Sequence, residues 1–350
     1  MPLSVVVGGQ YGSEGKGKTA LHIVRNDPST AAVIRVGGSN SGHTGVGSDG
    51  SIHALRQLPA GAIDGRVKVI IPAGAYIDVG ILLSEIDAIG YAPGQIAVHP
   101  LAHVITAEHK TWEADVHLGE SIGSTQSGTG AAVLSRVARG AGDLPKAVRA
   151  EDVTALAPFI TDTTALARDM LSQGRRIVVE GTQGFGLSAL HAPAWPKATS
   201  RDTTAAAFVA EAGLSPLDVD DVTLVIRCHP IRVAGRQSGP LPHETSWSAI
   251  ANAAGIDRDL TELTTVTRAR RRVGRFDAEI VRQAIAANRP TRIVLNHLDY
   301  IARDATGEAL TDDGHAFVEK VSEQIGQSVD WVGTSPSDLA VYRLRSALDA

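Results

Sequence analysis

Short apolar runs alternate along the chain with amphipathic stretches and glycine-rich turns. Ser4, Val5, Val6 and Val7 form a β-branched run of the kind found in a strand buried on both faces. A glycine-rich turn spans 8–19, and Ala20, Leu21, His22, Ile23 and Val24 read as the first turns of a helix. Similar apolar runs predict strands at 33–36, 67–72, 176–180, 222–227 and 293–296, and a final strand and loop at 329–336. Helical spacing predicts helices over 79–89 and 161–174, a helix carrying Arg136, and a closing helix over 337–348. Strands alternating with helices predict an α/β fold with a mostly parallel central sheet flanked by helices. Neither internal repeats nor low-complexity linkers interrupt the pattern, so residues 1–350 are expected to form one continuous α/β unit.

Composition narrows the function. At 43% apolar residues the chain has material for a sizeable core. A net charge of −5 argues against a general nucleic-acid binder, and no apolar run is long enough to span a bilayer. The chain enters its first strand almost at once, so no secretory leader is expected. A single cysteine, Cys228, rules out an internal disulfide framework and suits a reducing cytoplasm. His99, His103 and His109 lie close in sequence, but without a cysteine among them they are expected to be packed or solvated rather than ligating.

The densest chemistry lies at the start. Residues 12–19 fit G-x-x-x-x-G-K-[ST], with Gly12 and Gly17 as the glycines, Lys18 for phosphate and Thr19 for magnesium. Such a turn between strand and helix offers backbone N–H groups and a helix N-terminus to an anion. A second glycine loop, 37–44, follows the next strand and ends in His43 and Thr44. Glycine loops at neighbouring strand ends are expected to face each other across the crevice where α/β sheets bind ligands. A third small-residue loop, 122–130, has the hydroxyls and glycines to hold a monophosphate. The run Arg268, Ala269, Arg270, Arg271, Arg272 suits either a solvated face or the bidentate grip of small carboxylates.

These motifs resemble the adenylosuccinate synthetase family in order and spacing. The first loop is similar to the family's G-D-E-G-K-G-K, with Gly12, Ser13, Glu14, Gly15, Lys16, Gly17, Lys18 and Thr19 as nucleotide-binding positions. Residues 37–44 resemble G-G-x-N-A-G-H-T. The resemblance implies that Asn40 contacts the monophosphate, that the Gly42 carbonyl helps Ser13 hold magnesium, and that His43 and Thr44 face the nucleotide. Ser124, Thr125 and Gln126 resemble the family's 5′-phosphate loop, more loosely. Arg139 stands where a family arginine reaches the neighbouring subunit's nucleotide, which implies a homodimer. Gln183, Thr199 and Val233 fall in segments that contact the purine monophosphate. Thr265, Val266, Thr267 and Arg271 fall in the aspartate-binding loop. Asn296, Leu298 and Asp299 resemble the segment that holds the triphosphate base, and Gly333 and Thr334 the family's closing loop.

The resemblance implies a C–N ligase needing Mg2+, with Ser13, Lys16, His43 and Gln183 as its catalytic set. Two departures and the short length single out one branch. Ser13 replaces the catalytic aspartate, and Ala269 replaces an arginine that contacts the ribose 2′-hydroxyl. A third departure, Asp202 for asparagine, has no evident meaning in the sequence. The combination resembles phage members, which join L-aspartate to dGMP on the route to 2-aminoadenine DNA. The expected partners are therefore dGMP, L-aspartate and ATP, dATP or GTP. Ordinary adenylosuccinate synthesis from IMP is the alternative within the class. A nucleotide-binding regulator is the alternative outside it, disfavoured by His43 and the arginine run.

Overall fold

The computed structural model describes residues 2–264, 268–301 and 310–342. Its centre is a nine-stranded sheet. In chain order its strands are β1 (Leu3–Gly8), β2 (Thr30–Arg35), β3 (Lys68–Ile71), β4 (Ile96–Val98), β5 (Arg176–Glu180), β6 (Val219–Arg227), β7 (Arg292–Asn296), β8 (Trp331–Val332) and β9 (Ala340–Val341). Their spatial order is β9-β8-β7-β6-β1-β5-β2-β3-β4. Every neighbouring pair is parallel except β8 with β9. The α/β expectation holds.

β1 lies in the middle. Val5 pairs with Val179 on one side and Val222 on the other. Its apolar run has no polar interruption because both faces are covered. Leu3, Val5 and Val7 join one core cluster and Val6 another, all fully buried. A parallel sheet sandwiched by helices requires this.

The helix at Val79–Ile89 matches its expected limits, with the Asp78 side chain capping its start and Gly90 at its end. The 161–174 helix is Thr163–Ser172, started by the Asp162 side chain. The closing helix over 337–348 does not form where the chain is described. Residues 340 and 341 are instead the antiparallel edge strand β9, Val341 pairing with Trp331, and 343–348 lie outside the described residues. The strand at 329–332 is therefore not the last. Helices Ala278–Asn288 and Asp312–Ile325 were not anticipated.

Because the strands run parallel, the segments after β1, β2, β5, β6, β7 and β8 all leave the same edge of the sheet. The chain reverses its order of addition around β1, and ligands bind in α/β sheets at such a switch point. No helix among the described residues is long and apolar enough to cross a membrane.

Candidate active site

At this edge lies a cavity of about 520 Å³ with a side arm of about 180 Å³. That is the size range of small-ligand sites. The two share Tyr11, Asn40, Ser124, Thr125, Gln183 and Val233 as walls.

The first loop wraps around a buried carboxylate. Glu14 Oε1 accepts hydrogen bonds from the N–H of Gln10 (3.1 Å) and Gly12 (2.8 Å), and Oε2 accepts from Lys16 Nζ (2.6 Å). Glu14 therefore shapes the loop from inside and does not line the cavity. Gly15 has φ +98, and a Cβ there would meet Asn296 Nδ2 at 2.6 Å. Asn296 in turn donates to the Glu14 carbonyl at 2.8 Å, so it buttresses the loop from behind. At Gly17 a Cβ would meet His43 Cβ at 2.8 Å, which forces the first two glycine loops into contact.

Gly12, Ser13, Gly15, Lys16, Gly17 and Lys18 line the main cavity. Lys16 also donates to the Gln183 carbonyl, joining the loop to the segment after β5. Lys18 Nζ donates to the carbonyls of Ser335 (2.8 Å) and Asp338 (3.2 Å). Burial pulls its pKa down to about 8. Thr19 departs from the magnesium expectation. Its hydroxyl is buried and donates to the Gly15 carbonyl one helical turn back (3.1 Å).

The second loop brings Asn40, Gly42, His43 and Thr44 to the cavity. Behind it is a buried charge network built on strand ends. Glu180 Oε1 accepts from His43 Nδ1 (2.6 Å) and Arg35 Nη1 (2.8 Å), while Oε2 accepts from Ala60 N (2.8 Å). Arg35 Nη1 also lies 2.7 Å from His43 Nδ1. Because the ionised Glu180 carboxylate only accepts and is the nearer group at 2.6 Å, the ring proton is assigned to Nδ1, which leaves Nε2 for a ligand. Burial and the nearby Arg35 lower the His43 pKa to about 4. Burial alone would raise the Glu180 pKa. His43 and Arg35 outweigh it and bring Glu180 down to about 2. Arg35 and Glu180 carried no expected role. The signal available was a charged residue closing an apolar strand, a pattern Arg227 repeats at the end of β6.

The third loop puts Ser124 and Thr125 on both arms, while Gln126 and Arg139 are exposed and line neither. The helix that follows, Thr129–Ala138, does not offer its N-terminus to a phosphate. The buried Glu113 carboxylate already accepts from Gly128 N (2.9 Å) and Ala131 N (3.1 Å). Thr199 lines the side arm, and Gln183 and Val233 line both. Asp202 now has an account: it accepts from Ser188 Oγ (2.7 Å), Thr203 N (2.7 Å) and the Thr204 hydroxyl, and so ties the segment together. Tyr11, unforeseen, carries Arg232 over its ring at 4.9 Å.

Arg271, Ala269 and Asp299 line the far part of the main cavity. Leu298, Gly333 and Thr334 sit buried behind it, with Leu298 N donating to the Gly333 carbonyl at 3.0 Å. Thr265, Val266 and Thr267 lie outside the described residues. His99, His103 and His109 each bond locally through Nδ1. Among the described residues no group of three or more His, Cys, Asp or Glu could hold a metal ion.

Two glycine-rich loops at the carboxyl edge of a parallel sheet, with a small-residue loop lining the same cavity, define a nucleotide-binding α/β protein. Comparison with known proteins takes this further. The family model described as adenylosuccinate synthetase matches residues 5–153 and 144–308. The adenylosuccinate synthetase of Thermococcus onnurineus is 34% identical over 343 residues, covering 96% of each chain. That of Methanocaldococcus jannaschii is 34% identical over 352 residues, covering 99% of this chain and 97% of its own. The chain belongs to the adenylosuccinate synthetase family, C–N ligases that join aspartate to a purine nucleotide.

Among solved structures, cyanophage S-2L succinoaminodeoxyadenylate synthetase, bound to dGMP and dATP as an energy donor, is similar at TM-score 0.80. It is 30% identical, and the match covers 99% of this chain and 96% of that one. The fully ligated adenylosuccinate synthetase from Plasmodium falciparum shares the fold at TM-score 0.83 and 17% identity.

Proposed function

We propose that this ligase prefers dGMP as its purine acceptor and takes its phosphoryl group from ATP, dATP or GTP. The observation that carries the reading is the shared position of two departures from the family pattern. Ser13 and Ala269, far apart in sequence, line the same cavity. Guanine carries an amino group beside N1, and serine leaves more room there than aspartate. Deoxyribose lacks a 2′-hydroxyl, and an arginine placed to meet one would be left unpaired, at a cost of about 1–3 kcal/mol. Alanine avoids that cost. The dGMP held by the S-2L protein supports the reading.

The γ-phosphoryl group moves to the purine O6 as its bond to the β-phosphate oxygen breaks, and the N1 proton passes to water. The α-amine of aspartate then attacks C6, forming the C–N bond as the C6–O6 bond breaks and phosphate departs. Lys16 and the loop N–H groups stabilise charge on the transferring group. His43 acts from the opposite loop through Nε2, where an arriving phosphoryl charge favours the imidazolium. Glu180 holds the ring so that Nε2 points to the ligand. Gln183, Asn40, Ser124, Thr125, Thr199 and Val233 seat the monophosphate, Arg271 grips the aspartate carboxylates, and Asp299 meets the triphosphate base.

Magnesium entering with the triphosphate would neutralise phosphate charge. Ser13 and Gly42 line the same cavity, and a serine hydroxyl and a backbone carbonyl are both neutral oxygens. They fit an ion that keeps most of its ligands from phosphate and water. Arg139 lines neither arm of its own cavity and lies beside the exposed Leu134 and Val137, which supports a homodimer in which it serves the neighbouring site. We read the chain as one α/β unit working in the cytoplasm, that of the host if phage-encoded.

The test is kcat/KM for dGMP, GMP, dIMP and IMP, with aspartate and triphosphate saturating, on the wild type and Ser13→Asp. The wild type is expected to favour dGMP, and Ser13→Asp to move preference towards IMP. Faster turnover of IMP by the wild type refutes the proposal. It would favour the second reading, ordinary adenylosuccinate synthesis, which the archaeal relatives support.

A further inference from the structure

Arg227 closes β6 and is wholly buried. Its guanidinium does two things. Nη1 donates to the Ser13 carbonyl (3.0 Å), and Nη1 and Nη2 both reach the Glu262 carboxylate. Glu262 Oε2 also accepts from Arg271 Nη1 (3.0 Å), and Oε1 from the Tyr300 hydroxyl (3.2 Å). One carboxylate thus sits between two guanidiniums, leaving the cluster with net positive charge. Burial alone would push the Glu262 carboxyl up, but Arg227 and Arg271 hold it well below the ordinary range.

The backbone repeats the connection. Arg271 N donates to the Glu262 carbonyl at 2.9 Å, and Thr264 N to the Ala269 carbonyl at 2.8 Å. Glu262 and Arg271 therefore face each other at the base of a hairpin-like arm. The Arg271 carbonyl is fixed on the other side by Trp247 Nε1 (2.8 Å). Glu262 cannot swing away to free Arg271, because that would leave Arg227 buried without its carboxylate. It is a fixed post and not a placeholder for a substrate carboxylate.

We infer that Glu262 is a positioning residue. It sets the Arg271 guanidinium for a substrate carboxylate and, through Arg227, ties that arm to the phosphate loop at Ser13. The inference rests on the reading of Arg271 as a partner of aspartate. The remaining positive charge receives the substrate's carboxylate, and the shared post keeps the aspartate arm in register with the phosphoryl site. Coupled neighbours of this kind produce non-additive effects.

The experiment is a double-mutant cycle on the KM for L-aspartate, with dGMP and triphosphate saturating. Glu262→Gln is expected to raise that KM about tenfold and change the KM for dGMP less than twofold. In an Arg271→Ala background the same substitution is expected to add nothing. Glu262→Asp keeps the charge on Arg227 and runs the same cycle if Glu262→Gln does not fold. Its expected effect lies between those of wild type and Gln. An unchanged aspartate KM in the Glu262 variants, or an equal rise in both backgrounds, overturns the inference. If Arg271→Ala alone leaves the aspartate KM unchanged, the assignment of the arm to aspartate fails, and the inference falls with it.

Discussion

Replacing Glu180 with glutamine separates the two jobs of the network behind His43. The carboxylate takes an N–H from His43, one from Arg35 and one from the backbone of Ala60, all buried. Glutamine keeps the size and one acceptor oxygen but removes the charge and turns an NH2 towards these donors. Arg35 is then a buried cation without its carboxylate, and breaking such a pair costs about 3–5 kcal/mol. In a chain of this length each kcal/mol moves Tm by roughly 1.4 °C, so the variant should melt about 4–7 °C lower. Calorimetry on wild type and variant checks this. The second job is orientation. Without the carboxylate the ring has no fixed tautomer, and loss of such outer support typically costs about 10–100-fold. Phosphate release with dGMP, aspartate and triphosphate saturating reads kcat. An unchanged Tm refutes the energetics assigned to the buried pair. An unchanged kcat in a destabilised but folded variant refutes the positioning of His43.

Two further outcomes follow from the same network. His43→Ala should lower kcat on the order of 10²–10³ while leaving dGMP affinity by calorimetric titration nearly unchanged; near wild-type turnover would remove His43 from the catalytic set. Stability should rise with pH between about 4 and 6.5. In that window the unfolded chain holds the His43 proton and the folded chain does not, so acid favours unfolding. His229 and His297, also lowered by burial, act with the same sign. The contribution of Glu180 has the depressed-carboxylate form. It is complete above the ordinary carboxylate pKa and lost as pH falls towards about 2. Urea midpoints that stay flat from pH 7 to 4 would contradict the histidine part.

What could be read before folding was local. The phosphate loop announces itself because strand, glycines and lysine lie within a few residues, and the same holds for the loop ending in His43. Pairings across the sheet were invisible. Glu180 meets Arg35 and His43 across 145 and 137 residues, and no periodicity encodes that. Thr19 satisfied a motif, yet its hydroxyl had a nearer partner in the Gly15 carbonyl, a competition that short polar side chains in helices often settle locally. The third loop had the right composition for an anion, but Glu113, outside the motif, already fills the helix N-terminus. Over the described residues 337–342 the closing helix failed for another reason. At 340–341 the chain meets the open edge of β8, and pairing with that edge overrode helical spacing.

The central place of β1 also sets an order of events during synthesis. Of the nine sheet strands β1 leaves the ribosome before the others, and it pairs only with strands at 176–180 and 219–227. At about 5–20 residues per second, its β-branched run waits roughly 10–40 s for both neighbours. Until then Val5, Val6 and Val7 form an unpaired apolar segment, and pairing that spans most of the chain is slow to nucleate. The nucleotide loop depends on Gln183, Arg227 and Asn296 for its shape, so it cannot set before they arrive. It is encoded before these partners and assembled after them, and a nascent chain stalled short of β6 carries the phosphate motif without a phosphate site.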